Sequence, residues 1–362
     1  MPVTGLDSML SVLGMDPDAS FTVFRASDAT GKHVPPFPPD LPALIVNFNS
    51  LEDLSAVKHM LAASYPDGHE IRLIYDNGKE PGSIELKGLP QDQIPQALLV
   101  PALSKGHSFE AFQEVIARLR APDGCPWDME QTHLSLRKHL LEESYEALAA
   151  MDAEDPPMMR EEYGDLLLQI VLNAQIATEA GEFKMGEVLK GIHDKIIRRH
   201  PHVFGDLRLD GVGDVLQNWE RLKAAERSEN GNEHKSLLDS LPSALPALTQ
   251  AQEFQARASR VGFAWKEIEG VLDKVSEEIA EVREAQDETA LTIELGDLFF
   301  ALANLARWKG IDAEAALREA SSRFKSRFGY VERAARQEAR PLSAYSEDEL
   351  IALWQAAKSQ NT

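Results

Sequence analysis

Eight carboxylates in this chain are spaced for metal chemistry. Glu143 and Glu146 stand three residues apart, as do Glu162 and Asp165, and the same spacing returns at Glu278/Glu281 and Glu294/Asp297. On an α-helix, positions i and i+3 share a face, so each pair presents two acids in one direction. Two such helices joined by a short antiparallel connection would bring four carboxylates together. Acidic helix faces are ordinarily only solvated, and one isolated pair would carry little meaning. Here, however, the segments that follow Asp165 and Asp297, LLLQIVLNAQIA and LFFALANLA, are apolar almost all round. Such helices belong in the core of a bundle, where a carboxylate is costly unless it is paired or bound to metal. On the preceding helix Leu141, Tyr145 and Leu148 project away from Glu143 and Glu146, so that helix has two faces to satisfy.

Oxygen donors without Cys or His suit a hard divalent cation, Mg²⁺ first and Mn²⁺ second. A di-iron bundle would need Glu-x-x-His on two helices. Glu130 and His133 have that spacing, but they have no counterpart in the second set. Magnesium held by a few carboxylates keeps waters and takes up substrate phosphates. Cations for a phosphate tail are at hand: Lys274 lies four residues before Glu278, and Arg323 and Arg327 are one helical turn apart. Lys138, Lys195, Arg198 and Arg199 are their equivalents in the first set.

The elements that carry these residues occur twice. GCPWD with Trp127 returns as GFAW with Trp265, LLEESYEAL as VSEEIAEV, and REEYGDLLLQIVLNAQIA as TIELGDLFFALANLA. KIIRRHPHVF has a shorter echo in RFKSRFGYV. The offset is 138 residues at the tryptophan and 132 at the aspartate, which indicates duplication of a domain and not a short-period solenoid. FEAFQEVIARLR begins the helical part, with Ser108 placed as an N-cap and Phe109, Phe112, Val115, Ile116 and Leu119 on one side. Everything after about residue 105 is expected to be all-α. Before it, LPALIVNF reads as a buried strand and LEDLSAVKHMLAASY as a helix. EIRLIYDNGKEPGSIEL reads as two strands around a DNG turn, and ALLVPAL as a last strand. Residues 1 to about 40 read as irregular. The expected architecture is therefore mainly α: two tandem helical bundle domains, 105–232 and 233–362, preceded by a small α+β segment, 1–104.

The net charge of −22 opposes non-specific binding to nucleic acid or to an anionic membrane. A single cysteine, Cys125, leaves no disulfide framework and no Cys-based zinc site. No apolar run in the sequence approaches the ~18 residues of a membrane span. The N-terminus lacks the plan of a signal peptide, so the cytoplasm is the expected compartment.

GCPWDMEQTH, LLEESYEAL, EEYGDLLLQIVLNAQIA, KIIRRHPHVFGD, WERLKAAER, SALPALTQAQ, VGFAW, EEIAEV and ELGDLFFALANLARW, in this order from about 107 to 358, resemble the MazG family of nucleotide pyrophosphohydrolases. The resemblance implies an all-α fold assembled as a homodimer and Mg²⁺ held by a carboxylate quartet. It also implies hydrolysis of NTPs or dNTPs to the monophosphate and pyrophosphate, as nucleotide-pool house-cleaning. Carried over, the metal ligands are Glu278, Glu281, Glu294 and Asp297, which are also the catalytic set because the second repeat tends to be the active one. Glu143, Glu146, Glu162 and Asp165 are the corresponding metal set in the first repeat. Lys274, Arg323 and Arg327 match positions that contact the phosphates, and Trp354 and Lys358 match a C-terminal nucleotide contact at which the indole could stack on a base. The chain departs from the pattern in ETALTIELGD, where Ala290 and Thr292 replace a Lys or acidic run that would contact substrate, so substrate preference does not follow from the resemblance. The N-terminal segment is similar to the C-terminal part of tetrapyrrole-methylase-like domains. It lacks a Gly-rich strand–loop–helix for S-adenosylmethionine and reads as a non-catalytic remnant. Two other readings compete with general NTP hydrolysis: a narrower activity on dUTP or damaged dNTPs, and a nucleotide sensor that binds Mg²⁺–NTP without turnover.

Overall fold

A computed structural model describes residues 5–75, 82–90, 92–229, 236–239 and 241–360. The chain divides into two compact units, Met1–Lys195 and Ile196–Thr362. The expected division at 104/105 falls inside the first unit, and that at 232/233 lies outside the described residues.

The first unit opens with helix α1 (Leu6–Leu13) and strands β1 (Thr22–Arg25) and β2 (Ala43–Val46). Helix α2 (Leu51–Ala62) and strands β3 (Glu70–Ile74), β4 (Gly82–Glu85) and β5 (Ala97–Val100) complete the α+β part. The sheet order is β1-β2-β5-β3-β4, with β1 parallel to β2 and every other pair antiparallel. One face packs on α2 through Leu54, Val57 and Leu61, and the other is covered by Leu10 and Leu13 of α1. Helix α1 and strand β1 occupy a segment whose sequence reads as irregular. The strand has only four residues and sits at the sheet edge, where half its side chains are solvated, so its apolar signal is weak. The two strands around the DNG motif form as expected, while the motif itself, residues 76–78, lies outside the described residues.

The helices begin with α3 (Phe109–Leu119), capped by Ser108, whose hydroxyl accepts from Ala111 N at 3.1 Å and donates to Asp40 Oδ2 at 2.8 Å. That second bond ties the helix to the connection between β1 and β2. Of its apolar side, Phe109, Phe112, Ile116 and Leu119 join a core with Leu136, Val171 and Leu172, whereas Val115 is exposed. Helix α4 (Pro126–Glu130) leads into α5 (His133–Asp152) and α6 (Pro156–Ala180), which form an extensive hairpin. The break between them is chemical. Asp155 caps α6 by accepting from Met158 N at 3.2 Å, and Pro156 occupies the first helical turn, where no backbone donor is required. Helix α7 (Met185–Arg199) follows.

The second unit contains α8 (Pro201–Phe204), α9 (Val212–Glu229), α10 (Ala247–Arg260), α11 (Ile268–Glu284), α12 (Glu288–Trp308), α13 (Ala313–Gln337) and α14 (Glu347–Gln360). Helices α11 and α12 repeat the hairpin of α5 and α6. Asp287 caps α12 by accepting from Ala290 N at 2.9 Å. Helix α10 packs on α12, and α13 on α14.

The apolar segments after Asp165 and Asp297 are helical as expected, but they are not enclosed within a single chain. Ala301 and Ala303 of α12 are buried, while Phe299 remains 57% exposed and Phe300, Ile293 and Leu302 are exposed beside it. On α6, Leu167 and Ile170 are likewise exposed, as are Leu141, Tyr145 and Leu148 on α5. Against the expectation from the sequence, α12 is long and apolar enough to meet the length and composition of a membrane span. Glu294 and Asp297 stand on that same helix.

Candidate active site

Each hairpin brings its acidic pairs together. Oxygens of Glu143, Glu146 and Glu162 lie within 4.8 Å of one another, and so do oxygens of Glu278, Glu294 and Asp297. The fourth members, Asp165 and Glu281, stand outside these closest trios but near enough to act on them. Burial, and then the charges of Asp165, Glu146 and Glu162, push the Glu143 carboxyl above the usual carboxylate range. Glu162 is raised by burial and by Glu146 and Asp165. Glu281 is raised by burial and by Glu278 and Glu294, with Lys274 opposing. Like charges gathered at the edge of a core favour the protonated form of some of them.

The two clusters differ in their counter-charge. Lys274 Nζ, one helical turn before Glu278, contacts Glu278 Oε1 at 2.8 Å and Glu277 Oε1 at 2.9 Å. Its own pKa is raised by these bonds. Glu278 is only 3% exposed, and its second oxygen, Oε2, is buried without a hydrogen-bond partner. A buried, unpartnered carboxylate oxygen is expensive; a divalent cation would satisfy it. Among the described residues no ion pair reaches Glu143, Glu146, Glu162 or Asp165. On α5, Lys138 and His139, the bases just before Glu143, turn to Glu142 at 3.8 and 3.5 Å. Arg198 and Arg199 are held by Glu226 at 2.8 and 2.6 Å, which lowers the Glu226 pKa to about 2.

A cavity of about 750 Å³ adjoins the second cluster. Lys274, Glu278 and Asp297 stand on its wall, and Phe254, Phe263, Trp265 and Phe300 supply apolar surface. Gln255, Asn304 and Arg307 add polar groups. The Trp265 ring is seated against Gly270 of α11: a Cβ there would lie 2.9 Å from Trp265 Cε3, so the glycine makes room for the indole. In the first repeat Gly124, three residues before Trp127, is held against backbone. A Cβ on Gly124 would fall 2.2 Å from the Leu119 carbonyl oxygen, and Cys125 N donates to that oxygen at 2.7 Å.

The remaining expected contacts lie outside the cavity wall. Arg323, on α13, pairs with Glu319, and Arg327 Nε is buried without a partner. Trp354, on α14, packs its ring 5.2 Å from Phe324, and Lys358 follows one turn later. Sequence reasoning missed the lining residues Phe254, Gln255, Phe300, Asn304 and Arg307. Asn304 and Arg307 continue the line of α12 beyond Asp297 at helical spacing, which is the signal that could have revealed them. Nothing in the sequence ties Phe254 and Gln255 of α10 to that line.

Comparison with known proteins agrees with this duplicated geometry. Residues 131–204 match the MazG nucleotide pyrophosphohydrolase domain, and residues 251–324 match the phosphoribosyl-ATP pyrophosphohydrolase family. The chain is 42% identical over 253 residues to the nucleoside triphosphate pyrophosphohydrolase/pyrophosphatase MazG of Thermotoga maritima, covering 70% of this chain and 96% of that protein. It is 43% identical over 252 residues to the nucleoside triphosphate pyrophosphohydrolase of Escherichia coli K12, covering 68% and 95%. An uncharacterized protein of Bacillus subtilis, YabN, is 37% identical over 371 residues, covering 98% of this chain and 74% of its own length. With both carboxylate hairpins inside the matched segments, the chain belongs to the MazG family of nucleotide pyrophosphohydrolases and carries two repeats of its helical unit.

Proposed function

We propose that the protein hydrolyses nucleoside triphosphates to the monophosphate and pyrophosphate with Mg²⁺, and that the second repeat does most of the work. The observation that carries this reading is the conjunction, in the second unit, of a carboxylate cluster built on the buried Glu278, a lysine on its edge and a cavity of nucleotide size. Glu278, Glu281, Glu294 and Asp297 would hold the metal: their donors are hard oxygens, and the orphaned Glu278 Oε2 supplies a ligand already stripped of water. When bound, a divalent ion polarises a phosphoryl oxygen and lowers the pKa of a water nucleophile.

The chain's own groups then divide the remaining work. Lys274 lies where it can leave its carboxylate partners for a substrate phosphate and offset charge on the departing pyrophosphate. Glu281, whose pKa is raised by burial and then by Glu278 and Glu294, would accept a proton from the attacking water. The aromatic cavity wall shelters the nucleoside and excludes bulk water from the cluster. Arg323, Arg327, Trp354 and Lys358 are proposed to contact the nucleotide from outside the cavity, the arginines at its phosphates. The exposed apolar faces of α5, α6 and α12 fit a homodimer, in which a second copy would cover what a single chain leaves open. A house-cleaning role in the cytoplasmic nucleotide pool is consistent with this chemistry, and the sheet of residues 1–104 would serve packing and not methyl transfer.

Product analysis tests the proposal. Purified protein with Mg²⁺ and each NTP and dNTP should release monophosphate and pyrophosphate, and Glu281→Gln should abolish the reaction while Glu146→Gln leaves it. Binding without turnover of any triphosphate would promote the sensor reading in its place.

A further inference from the structure

The cavity of the second unit extends well past the carboxylates. Asp297 and Arg307 both line it and stand ten residues apart on α12, about 15 Å along the helix axis. If the phosphates occupy the end at Lys274 and Glu278, as in the function proposed above, the base of a nucleotide comes level with Asn304 and Arg307. The polar groups there have a definite pattern. Arg307 donates through Nε and Nη2 to Asn304 Oδ1 at 3.1 and 2.9 Å. Asn304 Oδ1 is thereby occupied, leaving its Nδ2 and the Arg307 Nη1 as donors with no partner among the described residues. Arg307 has no carboxylate partner among those residues either, so its charge faces the cavity balanced only by an amide.

Across from α12, Gln255 of α10 carries the opposite pole. Its Nε2 donates to the Phe300 carbonyl at 2.8 Å. A carbonyl only accepts, so this bond fixes which end of the amide is which, and Oε1 is left buried with no partner. An orphaned acceptor of this kind gains from an incoming N–H. Donors on one wall with an unsatisfied acceptor in another complement a lactam edge, on which an exocyclic oxygen accepts beside a ring N–H that donates.

We propose that Arg307, Asn304 and Gln255 select nucleotides with oxo bases (guanine, hypoxanthine, uracil and thymine) over those with amino bases (adenine and cytosine). An amino base would present its exocyclic donor to the donors of Arg307 and Asn304, and its ring-nitrogen acceptor to the Gln255 oxygen. Sites that hydrogen-bond their ligand discriminate by leaving buried groups unpaired when the wrong one enters.

The test compares kcat/KM for GTP, ITP and UTP with that for ATP and CTP, in the wild type and in Arg307→Met and Gln255→Leu. The oxo bases should be favoured about tenfold or more, the scale of one well-made polar base contact. Each variant should bring the ratio within about threefold. Because the ratio is taken within each protein, a smaller folded fraction cancels from it. Equal use of both base classes, a preference for ATP and CTP, or a preference untouched by both variants would each overturn the proposal. Should no triphosphate turn over, the hydrolysis reading fails separately. The same base ratios, measured as Kd by calorimetry with Ca²⁺ in place of Mg²⁺, still decide the base selection.

Discussion

The two carboxylate hairpins are built from the same pattern and end in different electrostatic states. In α11 and α12 the acids have an ammonium one turn away, and Lys274 neutralises Glu278 while leaving one of its oxygens available. In α5 and α6 the same position relative to Glu143 is held by His139, which turns to Glu142 instead. Glu143 and Glu162 are then both raised by burial and by the acids around them. Duplication preserved the four acids of each set, whereas the residues around them diverged. A metal-ligand pattern alone therefore says little about which copy turns over substrate; the neighbouring cation and the adjoining cavity say more.

The comparison can be broken most decisively by removing one acid from each cluster. Glu278→Gln should lower pyrophosphate release by about a thousandfold, in the range seen when a preorganised electrostatic group is lost, and Glu143→Gln should lower it less than about threefold. An equal loss from both variants would show two coupled or equally active clusters. Lys274→Met isolates the difference in counter-charge. The expected loss in kcat/KM is about a hundredfold, and a change under threefold would mean that the lysine serves Glu278 alone and never reaches substrate.

Metal binding sharpens the same contrast without relying on turnover. Mn²⁺ titration followed by electron paramagnetic resonance should reveal two classes of site differing about tenfold in affinity, an effect of ligand charge and geometry. Glu143→Gln should remove one class and Glu278→Gln the other. A single class lost in only one variant would leave the remaining cluster without a metal role.

The smallest effect concerns the arginines once expected beside the first cluster. Glu226→Gln should reduce folding stability by about 1–2 kcal/mol at neutral pH, the usual scale for hydrogen bonds to a charged group, with pyrophosphate release unchanged. Glu226 has a depressed pKa, so its contribution is present above the ordinary carboxylate value of 4.5 and is lost as pH falls through about 2. Wild type and variant should converge in stability across that window, as followed by chemical denaturation. Loss of turnover in Glu226→Gln would mean that Arg198 and Arg199 do act in the reaction.

Much of the site was legible because helix geometry is local. The i, i+3 spacing and the cap at Ser108 each depend on a few neighbouring residues, and the hairpins form where they are expected. Strand β1 and helix α1 were not legible: a four-residue edge strand carries too little alternation, and its pairing with β2 is a contact at a distance in sequence. The apolar run of α12 was read as a buried helix, yet Phe299 and Phe300 remain exposed, because composition records that a surface needs covering and not which chain covers it.

The sequence by itself determined the tandem helical plan, the two acidic sets and their suitability for a hard divalent cation, since residue type and helical period suffice for all three. Only the tertiary structure decided that Lys274 turns to Glu278 while Arg198 and Arg199 turn to Glu226. Only it brought Gln255 of α10 opposite Asn304 and Arg307 of α12. Long, flexible charged side chains choose among several partners, and cavities arise between helices far apart in the chain. Such choices depend on packing that no local pattern encodes.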